Sequence, residues 1–352
     1  MSSEKFVSLR EIAEHIGVST SAVSLALRNS PKISAQRREE IQKVAVEMGY
    51  KQDPRVSELM EHLRKTRSQR SHSRIAVLIP DLSREDLEHY PPTVAMIEGV
   101  REIAHTAGFG VDVIYLPELN MNWRQARTIL RARGIKGVII APFTSGVKSV
   151  DFDFEGFCAV TTGYSIMEPA MNRACPDYLK MMEEMIAMGT NAGYSRIGMV
   201  MTYNPGGIGY KLFTSSYLFY QSTIPARDRI PMLESPRPDP AHDPGVDRLK
   251  LAAWLDKHQP EVVIGSGPVY EKLLQIGKRI PEDIGFLSID LAEPPTTASG
   301  ADHCYGMVGE EAFKLMLSAL NLNLTGLPEH PRVVLVDSHQ MTGTTLREKS
   351  PA

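Results

Sequence analysis

SLREIAEHIGVSTSAVSLALRNSPKISAQRREEIQKVAVEMGY, residues 8–50, reads as three short helices joined by two tight breaks. Ser8 and Glu11 have the spacing of a capping box, in which a hydroxyl and a carboxylate each satisfy one free backbone N–H. The helix they open runs to about Ile16, with Leu9, Ile12, Ala13 and Ile16 on one face. Gly17 ends it. Ser19 caps a second helix, Thr20 to Leu27, that buries Val23, Ala26 and Leu27. Asn29-Ser30-Pro31 breaks the chain. Ser34 then caps a third helix from Ala35 to Met48, with Ile41, Val44, Ala45 and Met48 inward and Gly49 as its stop.

Within this unit Ala13, Gly17 and Val23 have the spacing A-x3-G-x5-V. A helix-turn-helix needs a small residue where its helices touch, a glycine for the turn, and an apolar residue locking the second helix onto the first. The second helix of such a unit lies in the DNA major groove with its N-terminal residues at the base edges. Here those residues are Thr20 and Ser21, with Ser24, Leu25 and Arg28 on the next turns. Hydroxyls bond to several bases or to phosphate and so discriminate weakly. Leu25 can touch only a thymine methyl, and Arg28 can read guanine or hold a phosphate. Lys32, Ser34 and Arg37 are candidates for phosphate contacts, which position without specifying. Ser8, Ser19 and Tyr50 complete the candidate DNA contacts, and each hydroxyl has a rival role as a helix cap or a solvated face.

Beyond the head, Asp53 and Pro54 open a further helix with Val56, Leu59, Met60 and Leu63 on one stripe. Thr66 to Ser73 is polar, basic and unpatterned, a linker. Residues 1–74 hold 14 Lys+Arg against 9 Asp+Glu, and the remainder holds 25 against 33. A basic head on an acidic body is the asymmetry of a nucleic-acid-binding tail on a soluble domain. The whole chain of 352 residues has 42% hydrophobic and 23% charged residues, ordinary globular values that exclude a disordered or collagen-like chain. Its three cysteines (Cys158, Cys175, Cys304) are scattered, which predicts neither a disulfide framework nor a metal site and suits a reducing cytoplasm. No apolar run approaches the ~20 residues of a membrane span, and the first ten residues have no signal-peptide core.

From Arg74 strands and helices alternate. Buried runs occur at Ile75–Ile79, Val111–Leu116, Val138–Ala141 and Cys158–Thr162, with helices at Val94–Ala107 and Trp123–Arg133 between them. The texture restarts at Ile197–Met201, Ile230–Leu233, Val262–Ile264 and Phe286–Ile289, and a helix (Val308–Leu320) and strand (Arg332–Val336) close it. Two such half-sets predict two α/β lobes of parallel sheet with helices on both faces. Ligands of such folds bind at the carboxyl ends of the strands, here in the cleft between lobes.

The head resembles that of the lactose-repressor/galactose-repressor (LacI/GalR) family of bacterial transcription regulators. The likeness rests on Val18-Ser19, Val23-Ser24, Ile33-Ser34 and Gly49-Tyr50 beside the alanine and glycine, and it continues to Leu346. It implies three parts: a helix-turn-helix head at 1–52, a hinge helix and linker at 53–73, and a periplasmic-binding-protein-like body at 74–352. Lobe 1 is expected at about 74–170 and 303–328, and lobe 2 at about 171–302 and 329–346. The family pairs two hinge helices in the minor groove, each wedging a leucine between base steps. Leu59 holds the matching position, with ordinary packing of its stripe as the alternative. The implied partners are a pseudo-palindromic double-stranded operator, a small-molecule effector and a second copy of the chain, in the cytoplasm at the nucleoid and away from membranes. A repressor is expected rather than an activator.

Carried onto the body, the resemblance makes Asp290 an acceptor of effector hydroxyls, with a loop or helix-cap aspartate as the rival reading. The family's effector-clamping arginine falls near Tyr210, and its Asn-Asp pair is Ser266-Gly267 here. Asp81, Phe143 and Tyr164 lie on loops facing the expected cleft. A sugar or sugar-like effector follows, with a phosphorylated or carboxylate ligand disfavoured by the missing arginine. No cofactor, metal or catalytic residue is expected. Gly206, Gly207 and Gly209 lack the Lys-Ser/Thr of a phosphate loop, and Gly265-Ser266-Gly267 is not a nucleophile elbow. A solute-binding protein, or an enzyme on the same fold, are the alternatives.

Overall fold

The computed structural model describes residues 7–27, 29–50, 73–120, 122–144, 146, 148–202, 207–235 and 246–347. The expected hinge helix with Leu59, and Arg28, lie outside these residues.

The head is three helices, α1 (Leu9–Ile16), α2 (Thr20–Leu27) and α3 (Ala35–Glu47). Ile12, Ala13, Val23, Ala26, Ile41 and Ala45 are its buried centre. Gly17 takes a left-handed conformation, φ 74°, that only glycine adopts without strain. It lets Val18 N–H reach back to the Ala13 carbonyl, so the chain reverses into α2 within three residues.

The body begins with β1 (Ser73–Ile79), α4 (Arg84–Leu87), α5 (Pro91–Thr106), β2 (Phe109–Tyr115), α6 (Trp123–Ala132), β3 (Gly137–Ile140), β4 (Lys148–Ser149), β5 (Cys158–Thr162), β6 (Ile166–Glu168) and β7 (Arg173–Pro176). It continues through α7 (Tyr178–Asn191), β8 (Ile197–Met201), α8 (Ile208–Thr223), β9 (Leu233–Glu234), α9 (Arg248–His258), β10 (Val262–Gly265), α10 (Gly267–Gln275), β11 (Gly285–Ser288) and β12 (Ser299–Asp302). It ends with α11 (Tyr305–Leu322), β13 (Val333–Val336) and β14 (His339–Met341).

Two six-stranded sheets result, in the orders β13-β7-β5-β3-β1-β2 and β14-β12-β11-β10-β8-β9. All pairs in the first are parallel. In the second, β12 and β14 run antiparallel, an edge that strand–helix alternation did not foretell. Both faces of each sheet are covered, which is why the central strands read as unbroken apolar runs. Ile75, Val77 and Ile79 of β1 face α5 and α11, while Ala76 and Leu78 face the opposite core with Leu130 and Phe157.

The lobe boundaries need correction. β7 and β13 pair with each other in the first sheet, so lobe 1 comprises 73–176 and 305–336, and lobe 2 comprises 178–302 and 339–347. Three segments cross between them, at 177, 303–304 and 337–338. The expected breaks near 171 and 329 fell early because both strands are short and carry no alternation to mark them. The strand expected at Ile230–Leu233 is also shorter and later, at Leu233–Glu234.

Helices α5 and α11 lie side by side over the first sheet with their backbones in direct contact. A Cβ on Gly99 would sit 2.0 Å from the Gly306 carbonyl oxygen, and one on Gly309 would sit 2.1 Å from that of Met96. A Cβ on Gly306 itself would meet nothing nearer than 3.7 Å. Gly99→Ala and Gly309→Ala should therefore each cost about 1–3 kcal/mol through forced separation of the helices. Gly306→Ala should be neutral or slightly stabilising through helix propensity. Urea denaturation of the three variants checks this ordering.

Candidate DNA-reading head and interlobe cleft

At the head, the caps inferred from sequence are present. Ser8 N–H donates to Glu11 Oε2 at 2.6 Å, and Glu11 N–H donates to Ser8 Oγ at 3.2 Å. Ser19 Oγ accepts from Ala22 N–H and Ser34 Oγ from Arg37 N–H. These hydroxyls already hold helix ends, which points Ser8, Ser19 and Ser34 to structural work first. Thr20 and Ser21 stand exposed at the start of α2, and Ser24 and Leu25 are half-buried behind them. Lys32 is exposed. The Arg37 guanidinium pairs with Glu40 at 2.6 Å, and Tyr50 packs partly buried against the head's apolar centre.

The body holds a cavity of about 580 Å³ between the lobes, in the range of small-molecule sites. Its walls come from the carboxyl ends of β3, β5, β7 and β11 and from the first turns of α5, α7, α8 and α11. Of the residues expected to face it, Phe143, Tyr164, Tyr210 and Asp290 do so.

Asp81 and Ser266 do not line the cavity. Asp81 Oδ2 accepts from Thr144 N–H at 2.8 Å and from its hydroxyl at 3.1 Å. Ser165 Oγ accepts from Phe143 N–H at 2.7 Å. The loop carrying Phe143 is thus pinned from two sides, and Asp81 acts on the wall from behind it. Ser266 is buried and bonds Thr202 Oγ1 at 3.1 Å. Both corrections have one cause: a polar side chain at a strand end can turn into the loop network as readily as into the cleft.

Asp290 is 4% exposed. Its Oδ1 accepts from Ala292 N–H at 2.9 Å and its Oδ2 from the Tyr305 hydroxyl at 2.7 Å. Tyr305 Oη also lies 2.9 Å from His303 Nδ1, and His303 Nε2 lies 2.5 Å from the Ile289 carbonyl. A carbonyl accepts only, so Nε2 carries a proton. The Tyr305 hydroxyl then stands between the Asp290 carboxylate, to which it donates, and the ring's Nδ1. Asp290 belongs to lobe 2 and Tyr305 is the first residue of α11 in lobe 1, so this chain ties the lobes together.

Aromatic rings continue across the gap. Tyr164 and Tyr178 have centroids 6.1 Å apart, Tyr178 and Phe213 5.0 Å, and Tyr178 and His303 5.6 Å. Burial, joined by a hydrogen bond to the Cys175 thiol, raises the Tyr164 phenol well above its ordinary range. Burial alone is the main cause for Tyr178. Both stay neutral and hydrogen-bonding across physiological pH. Tyr178, His303, Tyr305 and Tyr90 were not anticipated. The strand β12, which delivers His303 and Tyr305, contains Ser299 and Gly300 and lacks an apolar run. Among the described residues no group of three or more His, Cys, Asp or Glu is placed to hold a metal ion. No described helix is long and apolar enough to cross a membrane.

The described residues thus join a helix-turn-helix head to a two-lobed body with a cavity between its lobes. Residues 8–53 match the family model described as bacterial regulatory proteins, lacI family, so the head is a domain of that kind. No curated protein matches the chain by sequence. Among solved structures, the fold is similar to a putative transcriptional regulator of the family from Rhizobium etli, at 13% identity and TM-score 0.62. That match covers 79% of this chain and 100% of that one. It is also similar to a transcriptional regulator CelR–cellobiose complex at 14% identity and TM-score 0.55, covering 96% and 99% of the two chains. The Lac repressor dimer bound to operator and the anti-inducer ONPF matches at 14% identity and TM-score 0.54, covering 97% and 99%. The family that the head matches is described as one of regulatory proteins.

Tyr305→Phe deletes the one hydroxyl shared by Asp290 and His303, both buried. It should lower stability by about 1–3 kcal/mol, the cost of stranding buried polar partners. A reduced denaturation midpoint with unchanged far-ultraviolet dichroism is the expected result.

Proposed function

We propose that the chain is a sequence-specific transcriptional repressor that binds a pseudo-palindromic operator as a homodimer and is released or engaged by a small effector in the interlobe cleft. The observation that carries this reading is the exposed start of α2, with Thr20 and Ser21 outward on a head whose turn and caps are intact. A helix so presented inserts its first residues among base edges, and a two-fold dimer imposes its symmetry on the site. Ser24, Leu25 and Arg28 extend the readout, Lys32 and Arg37 reach phosphates, and Leu59 of the hinge wedges the minor groove.

The effector is proposed to be a sugar or sugar-like metabolite, in keeping with the CelR relative's complex with cellobiose and with a carboxylate at the cleft. Phe143, Tyr164, Tyr210 and Asp290 contact it, Asp81 supports the loop, and Ser266 lies behind. Ligand preference for one lobe arrangement shifts the hinges, and it can move the equilibrium only by its difference in affinity between the two states. The protein acts in the cytoplasm at the nucleoid.

Deleting residues 1–65 should abolish operator binding and leave the ligand-induced thermal shift intact; undiminished DNA affinity in a gel-shift titration would refute the regulator reading. Leu59→Ala should weaken specific DNA binding while sparing ligand binding. Equal operator affinity for that variant and the parent would remove the wedge.

A further inference from the structure

We propose that lobe 1 itself touches DNA: a basic rim at the strand-start end of its sheet, formed by Arg74, Arg131, Arg133 and Lys136, takes the phosphate backbone of the duplex that the head holds. This rests on the reading of the head as a DNA-binding unit and adds a second, sequence-independent contact on the body.

Composition singles out the segment. Residues 123–136, WRQARTILRARGIK, carry five cations and no acid, in a body where 33 Asp+Glu outnumber 25 Lys+Arg. Ala126 and Leu130 form the buried face of α6, and Arg127 pairs with Asp153. Arg131, Arg133 and Lys136 stand exposed at the end of the helix and in the turn into β3. Among the described residues Arg131 and Lys136 make no ion pair with the protein.

Sheet register gathers these residues with a fourth. Ile75 of β1 pairs with Gly137 of β3, so Arg74 and Lys136 adjoin at the start of neighbouring strands. Arg74 Nε donates to Asp112 Oδ1 at 2.7 Å, and Arg133 Nη1 donates to Asp112 Oδ2 at 2.9 Å. One carboxylate thus draws two guanidiniums to the rim and fixes both without cancelling them. Cys158 N–H donates to the Lys136 carbonyl, so the loop before β5 brings Glu155 to the same quarter. Four cations there face two acids, Asp112 and Glu155.

A charged face needs no partner but water, so position decides. The cavity lies at the carboxyl ends of β3, β5 and β7, and the rim lies at the opposite end of the same sheet. Ser73 opens β1, so the chain coming from the head enters the body at the rim's end. The end of α11 lies there too. Cys158, first in β5, donates its thiol to the Leu324 carbonyl at 3.1 Å and bridges to Gly326. Asn323, which caps α11, donates its side-chain amide to the Asn29 carbonyl in the loop that follows α2. The head therefore rests against the end of lobe 1 that carries the rim, and a duplex seated on α2 passes that end. Lysine and arginine heads beside a phosphate backbone release its condensed counterions, a gain that any sequence supplies.

The test is fluorescence anisotropy of the full chain with a labelled mixed-sequence DNA duplex, titrated at salt concentrations from about 50 to 200 mM. Arg131→Gln with Lys136→Gln removes two cations that pair with nothing in the described protein. The slope of log affinity against log salt should become shallower by about 2 for each subunit engaged, one for each lost phosphate contact. The parent's advantage over this variant then shrinks about tenfold across the salt range. Arg131→Lys with Lys136→Arg keeps the charges and should keep the parent slope. Lys250→Gln with Lys257→Gln, on α9 of lobe 2, removes the same charge elsewhere and should also leave the slope unchanged. An unmoved slope in the first variant, an equal loss in the α9 variant, or a loss in the charge-keeping variant would overturn the inference. A parent chain that fails to bind the duplex at the lowest salt would instead remove the DNA-binding reading of the head. The two failures are distinguishable, since one erases a difference between variants and the other erases binding.

Discussion

The cleft depends on the bare backbone contact between α5 and α11. Gly99 and Gly309 leave no room for a methyl group, so the helices cannot slide or separate without losing the contact along their whole crossing. Their first turns are also cavity wall: Thr93 and Met96 on one, Tyr305 and Val308 on the other. Whatever touches Tyr305 therefore presses on a two-helix unit rather than on a lone side chain. Close-packed interiors shift between discrete arrangements and do not deform smoothly.

A polar chain joins lobe 2 to this unit. Asp290 reaches Tyr305 from the end of β11, and His303 fills the space between with its ring turned by the Ile289 carbonyl. Each group is satisfied largely by the next, so the chain holds the two lobes together. The aromatic run from Tyr164 through Tyr178 to Phe213 supplies the apolar half of the same joint.

The head was legible almost to the residue because its signals are local: a hydroxyl three residues before a carboxylate, a glycine at a left-handed turn, and apolar positions at helical spacing. The central strands of both sheets were legible for the same kind of reason, since burial on two faces leaves an unbroken apolar run. Phe143 and Tyr164 could be placed at the cleft because each follows a recognised strand end, and Tyr210 and Asp290 because the family resemblance carried its pocket positions onto them. Asp81 and Ser266 satisfied the same rule and turned inward, because their partners, Thr144 and Thr202, lie 63 and 64 residues away in sequence. β12 escaped notice because Gly300 replaces an apolar side chain with close approach to Ser288, where a Cβ would sit 2.1 Å from its carbonyl oxygen. Missing that strand hid His303 and Tyr305.

The threading of the chain between lobes has a consequence for its synthesis. The last strand of lobe 1 is Val333–Val336 and that of lobe 2 is His339–Met341, so both sheets await their final edge until the C-terminal end emerges. Domains ordinarily fold in turn as they leave the ribosome. Here the head can, whereas the last strand of each lobe follows nearly the whole of both. A stop codon a few residues before Val333 would not spare either of them; it would leave two sheets with open flanks in the same molecule, a template for unwanted strand pairing.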